Sequence, residues 1–213
     1  MAIILKINPD APQPELIARV ADCLRNGGVV AFPTETVYGL AASLGCEDGV
    51  RKVWEVKRRP ENKPLPVQIA HATQLGSVWR ELPHHAMPLI QAFMPGPLTL
   101  VYWKHNTIPD FINAGLPSLG VRIPQHPVAL SMITQLGVAI VAPSANISGE
   151  AAPVKASDIS TELCKQIDIV IDAGACPGGL PSTVLDICYT PARILRAGEI
   201  GRDELELYLP IAD

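Results

Sequence analysis

Two short apolar runs, Gly28–Phe32 and Leu40–Leu44, flank a stretch in which Thr34, Glu35, Thr36 and Tyr38 fall within five positions. The first run carries β-branched valines over a strand-like length and reads as a buried strand. Pro33 stops it, and Gly39 lets the backbone turn before the second run. Hydroxyls and a carboxylate at the end of a buried strand are placed to face a ligand. They could equally cap their own backbone in an Asx/ST-type turn, and for this stretch alone the turn is the simpler reading.

The same alternation of short apolar runs with helical stripes continues along the chain. Helices are predicted over Pro14–Asn26, Glu47–Arg58 with Asp48 capping its start, Leu82–Phe93, Pro127–Leu136, Ala156–Gln166 and Asp203–Leu209. Strands are predicted at Met1–Ile7, Leu65–Ala70, Leu98–Trp103, Leu119–Ile123, Val138–Ala142, Ile167–Ile171, Thr183–Ile187 and Ala192–Leu195. More strands than helices, interleaved, predict an α/β fold with a large, partly mixed sheet. At 213 residues, with neither an internal repeat nor a composition shift, the expectation is a single domain over 1–213. Only 5% of residues are aromatic, so the core is expected to be aliphatic.

Net charge is −4, which argues against a protein that coats nucleic acid by bulk charge. The five cysteines form no C-x-x-C pair, and the histidines show no metal-ligand spacing, so no metal site is expected. A reducing cytoplasm is the natural setting. No apolar run is long enough to span a membrane. The common nucleotide and hydrolase signatures G-x-G-x-x-G, G-x-x-x-x-G-K-[ST] and G-x-S-x-G are absent.

Three segments carry chemistry. Lys57, Arg58, Arg59 and Lys63 place four cations in seven positions of an acidic chain. The C-terminal dipole of the preceding helix accounts for one or two of them; an anionic small ligand accounts for Arg59 and Lys63 astride a Pro-containing turn. Pro143-Ser-Ala-Asn-Ile-Ser-Gly149 follows an apolar strand and puts Ser144 and Asn146 just past its carboxyl end. There they either meet a ligand or form a polar turn. Gly178-Gly-Leu-Pro-Ser-Thr-Val184 offers backbone N–H groups and the Ser182 and Thr183 hydroxyls as a small anion nest. Arg122 and Arg196 each end a strand and extend the set.

In this order, the segments resemble the YrdC family of threonylcarbamoyl-AMP synthases, also called TsaC. The matching pieces are Phe32-Pro-Thr-Glu-Thr-Val-Tyr-Gly-Leu40, Lys57-x-Arg59-Pro60 with Lys63-Pro-Leu65, Pro95-Gly-Pro-Leu-Thr99, and Val121-Arg-Ile-Pro124 with His126-Pro127. Pro143-Ser-Ala-Asn-x-Ser-Gly149, Ser182-Thr-Val184, and Leu195-Arg196 with Gly198 complete the set. The ordered set, covering nearly the whole chain, is highly specific. The resemblance implies a twisted open sheet with flanking helices and a concave basic face. It also implies a nucleotidyltransferase reaction. L-threonine and bicarbonate give an N-carboxylated amine that attacks ATP, forming threonylcarbamoyl-AMP and pyrophosphate. A downstream transferase complex would then pass the group to tRNA as threonylcarbamoyladenosine (t6A).

Residue by residue, the resemblance implies that Lys57 and Arg59 hold carboxylate and phosphate charge. Thr36, Arg122, Ser144 and Ser182 would contact threonine or bicarbonate. Lys63, Ser118, Asn146 and Arg196, together with Arg59, would contact ATP. Magnesium is expected with ATP, held mostly by phosphate oxygens and water. No strong protein base is evident. Two departures stand out: family members often have His where this chain has Gln68, and Thr or Ser where it has Val154. The chain also resembles the short form of the family, without the extra C-terminal domain. A non-catalytic RNA binder and a paralogue acting on another carbamoyl substrate are the alternatives. With this net charge, direct tRNA binding would be weak.

Overall fold

The computed structural model describes residues 1–212. Short apolar runs bounded by Gly and Pro become ten strands: β1 (Ile3–Lys6), β2 (Val30–Phe32), β3 (Gly39–Ser43), β4 (Val67–Gln68), β5 (Leu98–Trp103), β6 (Ser118–Arg122), β7 (Ile140–Val141), β8 (Ile169–Asp172), β9 (Thr183–Asp186) and β10 (Arg193–Arg196). They form one mixed sheet in the order β1-β8-β2-β3-β7-β4-β6-β5-β9-β10. The α-helices are α1 (Pro14–Arg25), α2 (Glu47–Val56), α3 (Leu75–Val78), α4 (Met87–Phe93), α5 (Pro127–Leu136), α6 (Thr161–Cys164) and α7 (Arg202–Glu206).

The two-residue period of the strands sorts their side chains into two layers. Ala31, Leu40, Ala42, Val67, Leu98, Leu100, Val121 and Val141 face a core shared with α2, α3 and α4. On the opposite face Val30, Phe32, Ala41, Ile140, Ile169 and Ile171 pack under α1 and α5. That second helical layer stops at β7. Beyond it, the face carries Gln68 of β4, Ser118, Gly120 and Arg122 of β6, and Thr99 and Val101 of β5, which alternate with the core residues Val67, Leu119, Val121, Leu98 and Leu100. No helix stripe is available to cover this half, and its residues are correspondingly polar or small. The sheet is narrow where the two halves meet, since β7 and β4 are two-residue strands and β3 with β7, β7 with β4 and β4 with β6 each pair over only two residues.

Several boundaries differ from the sequence expectation. α5 runs from Pro127 to Leu136 as expected, started by proline and stopped by Gly137 in the left-handed conformation. α2 begins after Cys46 with no side-chain cap, so Asp48 contributes only its charge to the first turn. It also ends at Val56, before Pro60, because Lys57 turns inward and Arg58 takes a left-handed φ of 47°. The helix expected over 156–166 is a 3-10 turn, Ala156–Asp158, and the short α6, whose Leu163 N–H is capped by Ser160 Oγ. The segment from Ala72 to Val78, for which no element is predicted, is helical, and Leu75 and Val78 are buried.

Candidate functional site

The bare half of the sheet carries Ser118 and Arg122 on β6 and gathers Thr36, Ser182 and Arg196 beside them. Arg122 ends β6 opposite Gln68 and is 6% exposed. Its Nε donates to Gly96 O at 3.0 Å and its Nη2 to Thr36 Oγ1 at 3.0 Å. Thr36 is fully buried and shares a 2.9 Å hydroxyl bond with Thr34, whose Oγ1 donates to Val37 O. The polar stretch between β2 and β3 is therefore partly the self-capping turn the sequence allows. It also folds across the sheet face, which is how it reaches Arg122.

Glu35, in the same turn, lies 2.8 Å from Arg122 Nη2 through Oε1, yet neither carboxylate oxygen has an aligned hydrogen bond. Gln68 Oε1 is likewise buried and unpartnered. His126 caps α5 by accepting Val128 N–H at Nδ1, so its neutral ring keeps the proton at Nε2. Burial pushes its pKa down, and the charge of Glu35 partly opposes this.

Ser182 Oγ is 2.9 Å from Thr99 Oγ1, and Arg196 fixes both: its Nη2 donates to Ser182 O at 2.7 Å and to Ser182 Oγ at 3.0 Å. Thr183 turns away to bond Ile200, so the expected anion nest is reduced to Ser182 and its arginine. Gly198 is required here, because a Cβ would lie 2.4 Å from Pro181 O.

Lys57 differs most from a helix-end cation. It is 1% exposed. Its ammonium donates to Ser144 O at 2.5 Å, Asn146 O at 2.6 Å and Asn146 Oδ1 at 3.3 Å, and its own carbonyl accepts Ser148 N–H at 2.8 Å. Burial and neighbouring Arg59 pull its pKa down to about 7, against the pull of Glu150. Ser144 Oγ donates to Asn146 Oδ1 at 2.5 Å, and Asn146 Nδ2 donates to Glu150 O at 2.7 Å. The K-x-R and S-x-N segments are thus one unit, with Lys57 as its pin.

Arg59 is half-buried and donates to Lys63 O at 2.8 Å and Pro64 O at 2.7 Å, while Lys63 itself is exposed. Arg59 also borders a groove of about 610 Å³ with Trp54 and Phe111; none of the other candidates borders it, so volume alone does not mark this site.

The cations form an electrostatic chain. Lys57 is lowered by Arg59 after burial, Arg59 by Arg196, and Arg196 by Arg122, with burial the larger cause in each case. Like charges held this close disfavour one another's ionisation and favour an anion between them.

The candidate residues do not share one row of strand ends. β4 runs parallel to β6 but antiparallel to β7, so Arg122 and Ser144 leave the sheet at opposite ends. Ser118, at the other end of β6 from Arg122, is roughly 13 Å from it at the usual rise per residue. The site therefore runs along the sheet face, and Gly120, between Ser118 and Arg122, keeps its floor low. Such a length suits a ligand with several charged groups. Glu35 is a charged member of the site to which no sequence motif assigns a role; its place between Thr34 and Thr36 is the signal for it.

An open mixed sheet with one half-face free of helices, Arg122 at its centre and a lysine-pinned Ser-x-Asn loop beside it, defines an α/β protein of the YrdC-like class. Residues 22–198 match the Sua5/YciO/YrdC family, described as telomere recombination. The chain belongs to that family. It is 41% identical over 186 residues to a threonylcarbamoyl-AMP synthase of Pyrococcus abyssi, covering 87% of this chain and 55% of the relative. It is 41% identical over 191 residues to the Bacillus subtilis protein of the same name, covering 89% and 55%. The crystal structure of P. abyssi Sua5 complexed with L-threonine superposes with a TM-score of 0.94 at 38% identity, over 99% of this chain and 63% of that one. The chain thus spans about half the length of these curated relatives. No helix among the described residues is long and apolar enough to cross a membrane.

Proposed function

We propose that the chain is an L-threonylcarbamoyladenylate synthase, forming threonylcarbamoyl-AMP and pyrophosphate from L-threonine, bicarbonate and ATP. The observation that carries this reading is the chain of four cations, Lys57, Arg59, Arg196 and Arg122, running from the Ser-x-Asn loop to the threonine-rich turn. Two carboxylate-bearing reactants and a triphosphate repel one another, and a preorganised row of cations offsets that repulsion. The name of the two relatives and the threonine bound to Sua5 support the same assignment.

In this reading Arg122 pairs with the threonine carboxylate, and Thr36, Ser144 and Ser182 surround the amino acid and the bicarbonate. Arg59, Lys63, Ser118, Asn146 and Arg196 contact ATP, which arrives with magnesium held by its own phosphates and water. Lys57 acts through the loop it pins. Catalysis is largely alignment of the reacting groups. The product serves t6A formation by a downstream tRNA-modifying transferase complex, in the cytoplasm.

The test is pyrophosphate release with ATP, bicarbonate and a panel of amino acids. Threonine should exceed valine, its near-isostere without the hydroxyl, and omission of bicarbonate should stop release. Equal rates with and without amino acid would overturn the assignment. Arg59→Ala should abolish adenylate formation with the fold intact. If the cluster instead served RNA, that change would chiefly flatten the salt dependence of RNA binding.

A further inference from the structure

The Arg122–Glu35 contact is an unusual ion pair. Glu35 is 12% exposed at its side chain and Arg122 7%, and the two approach to 2.8 Å. Yet Arg122 spends its aligned hydrogen bonds on Gly96 O and Thr36 Oγ1. Both Glu35 oxygens are left with no hydrogen bond at all, as is Oε1 of Gln68, the register partner of Arg122. A buried carboxylate without donors is costly, and the cost persists only where something offsets it. The groups around it, Arg122, the neutral His126 and the Cys176 thiol, supply the field of one guanidinium and no aligned donor.

We propose that this pair is a receptor for an amino-acid zwitterion, in which Glu35 takes the ammonium and then the proton that the amine must lose. The inference rests on the amino-acid reading of the site given above. An ammonium brings three donors; the site offers both Glu35 oxygens and Gln68 Oε1 as unpartnered acceptors. Arg122 receives the carboxylate on the other side. When Glu35 turns toward the entering group it gives up its 2.8 Å ion pair with Arg122 but no aligned hydrogen bond, and the ammonium replaces the lost cation.

The chemistry needs such a group. An ammonium has no free lone pair and cannot attack the bicarbonate carbon. Transfer of one proton from nitrogen to Glu35 leaves the neutral amine. Its lone pair forms the N–C bond, a C–O bond of bicarbonate breaks, and water leaves with a second amine proton. The balance is R-NH3+ + HCO3− + Glu35-COO− → R-NH-COO− + H2O + Glu35-COOH. With Arg122 engaged by the substrate carboxylate and water largely excluded, Glu35 lies beside the nitrogen for this transfer.

The experiment compares binding of L-threonine with that of 3-hydroxybutyrate, which keeps the carboxylate and hydroxyl but lacks the amine, by calorimetry on the whole chain. The parent should bind threonine roughly 30-fold more tightly than 3-hydroxybutyrate, as charged hydrogen bonds of this kind require. Glu35→Gln should bring threonine down to the level of 3-hydroxybutyrate while leaving the latter unchanged, and Glu35→Asp should recover part of the difference. Equal loss for both ligands would mean that Glu35 only props up Arg122, and would overturn the proposal. Parent protein that binds the two ligands equally would overturn it without any variant. Parent protein that binds neither, nor any other amino acid, would overturn the assigned function as well, so the two failures are distinct.

Discussion

One face of the sheet is built in two ways. Over β8, β2, β3 and β7 it is aliphatic and lies under α1 and α5, with Met132 and Ile133 fully buried. Over β4, β6 and β5 it is bare of helices and carries Gln68, Arg122, Gly120 and Thr99. The strands on the two sides share a backbone and a two-residue period. What differs is whether an apolar helix stripe exists to cover them. The covered half adds a second apolar core to the one on the opposite face; the bare half spends part of that stability on polar groups that lack partners.

The sharpest way to break this division is to make the bare half resemble the covered one. Arg122→Leu should lower pyrophosphate release by roughly 100- to 1000-fold, the effect of removing one donor aimed at developing charge. It should also destabilise by about 3–5 kcal/mol, because Glu35 stays behind as an unpaired buried charge. Adding Glu35→Gln should restore the melting temperature without restoring activity. Recovery of turnover in the double variant would show that the arginine serves stability alone.

The reverse change tests the covered half. Met132→Ala should cost about 2–5 kcal/mol in urea unfolding through the cavity it leaves. Turnover per folded molecule should stay at the parent value. A large loss of specific activity would mean that the two halves are coupled.

Lys57 sits on the boundary and should separate the two properties. Lys57→Met leaves two carbonyls and an amide oxygen without their donor, but also removes an ammonium that burial already disfavours. These opposed terms should leave stability within about 2 kcal/mol of the parent. Loosening the Ser144–Asn146 loop should reduce turnover roughly 100-fold, the usual result of small misplacements. Lys57→Arg should destabilise by about 1–3 kcal/mol through overpacking, an effect that a solvated helix-end cation would not show.

Gln68→Leu should have the smallest effect. Its Oε1 is buried without a partner, so an apolar replacement should be neutral or slightly stabilising in a melt. A modest rise in the Michaelis constant for threonine, with that for ATP unchanged, would place Gln68 at the amino-acid end.

Much of the architecture was legible from the sequence because local rules determined it. Pro127 and Gly137 bracket α5, and short apolar stretches mark β5 and β6. The segment at 72–78 was missed because so short a stripe has no readable period. The site was legible as a set of segments but not as a geometry. Lys57 in a run of four cations reads as solvated, and nothing local announces that its ammonium is enclosed by carbonyls. The opposite directions of β6 and β7 are likewise a product of tertiary pairing, which strand-end reasoning does not supply. Glu35 was visible at the start, but its value lies in what it fails to bond.

The two-residue pairing of β4 with β7 has a mechanical side. A plate that thins along a band flexes there, and here the band of two-residue pairings through β7 and β4 lies between the loop pinned by Lys57 and the arginines of β6 and β10. A molecule touching both sides would act as a splint, turning two plates that rock into a stiff one. Amide exchange at Ala142, whose N–H bonds Pro66 O across β7 and β4, and at Ile69, whose N–H bonds Arg122 O between β4 and β6, should therefore slow when both substrates are present, and less with either alone.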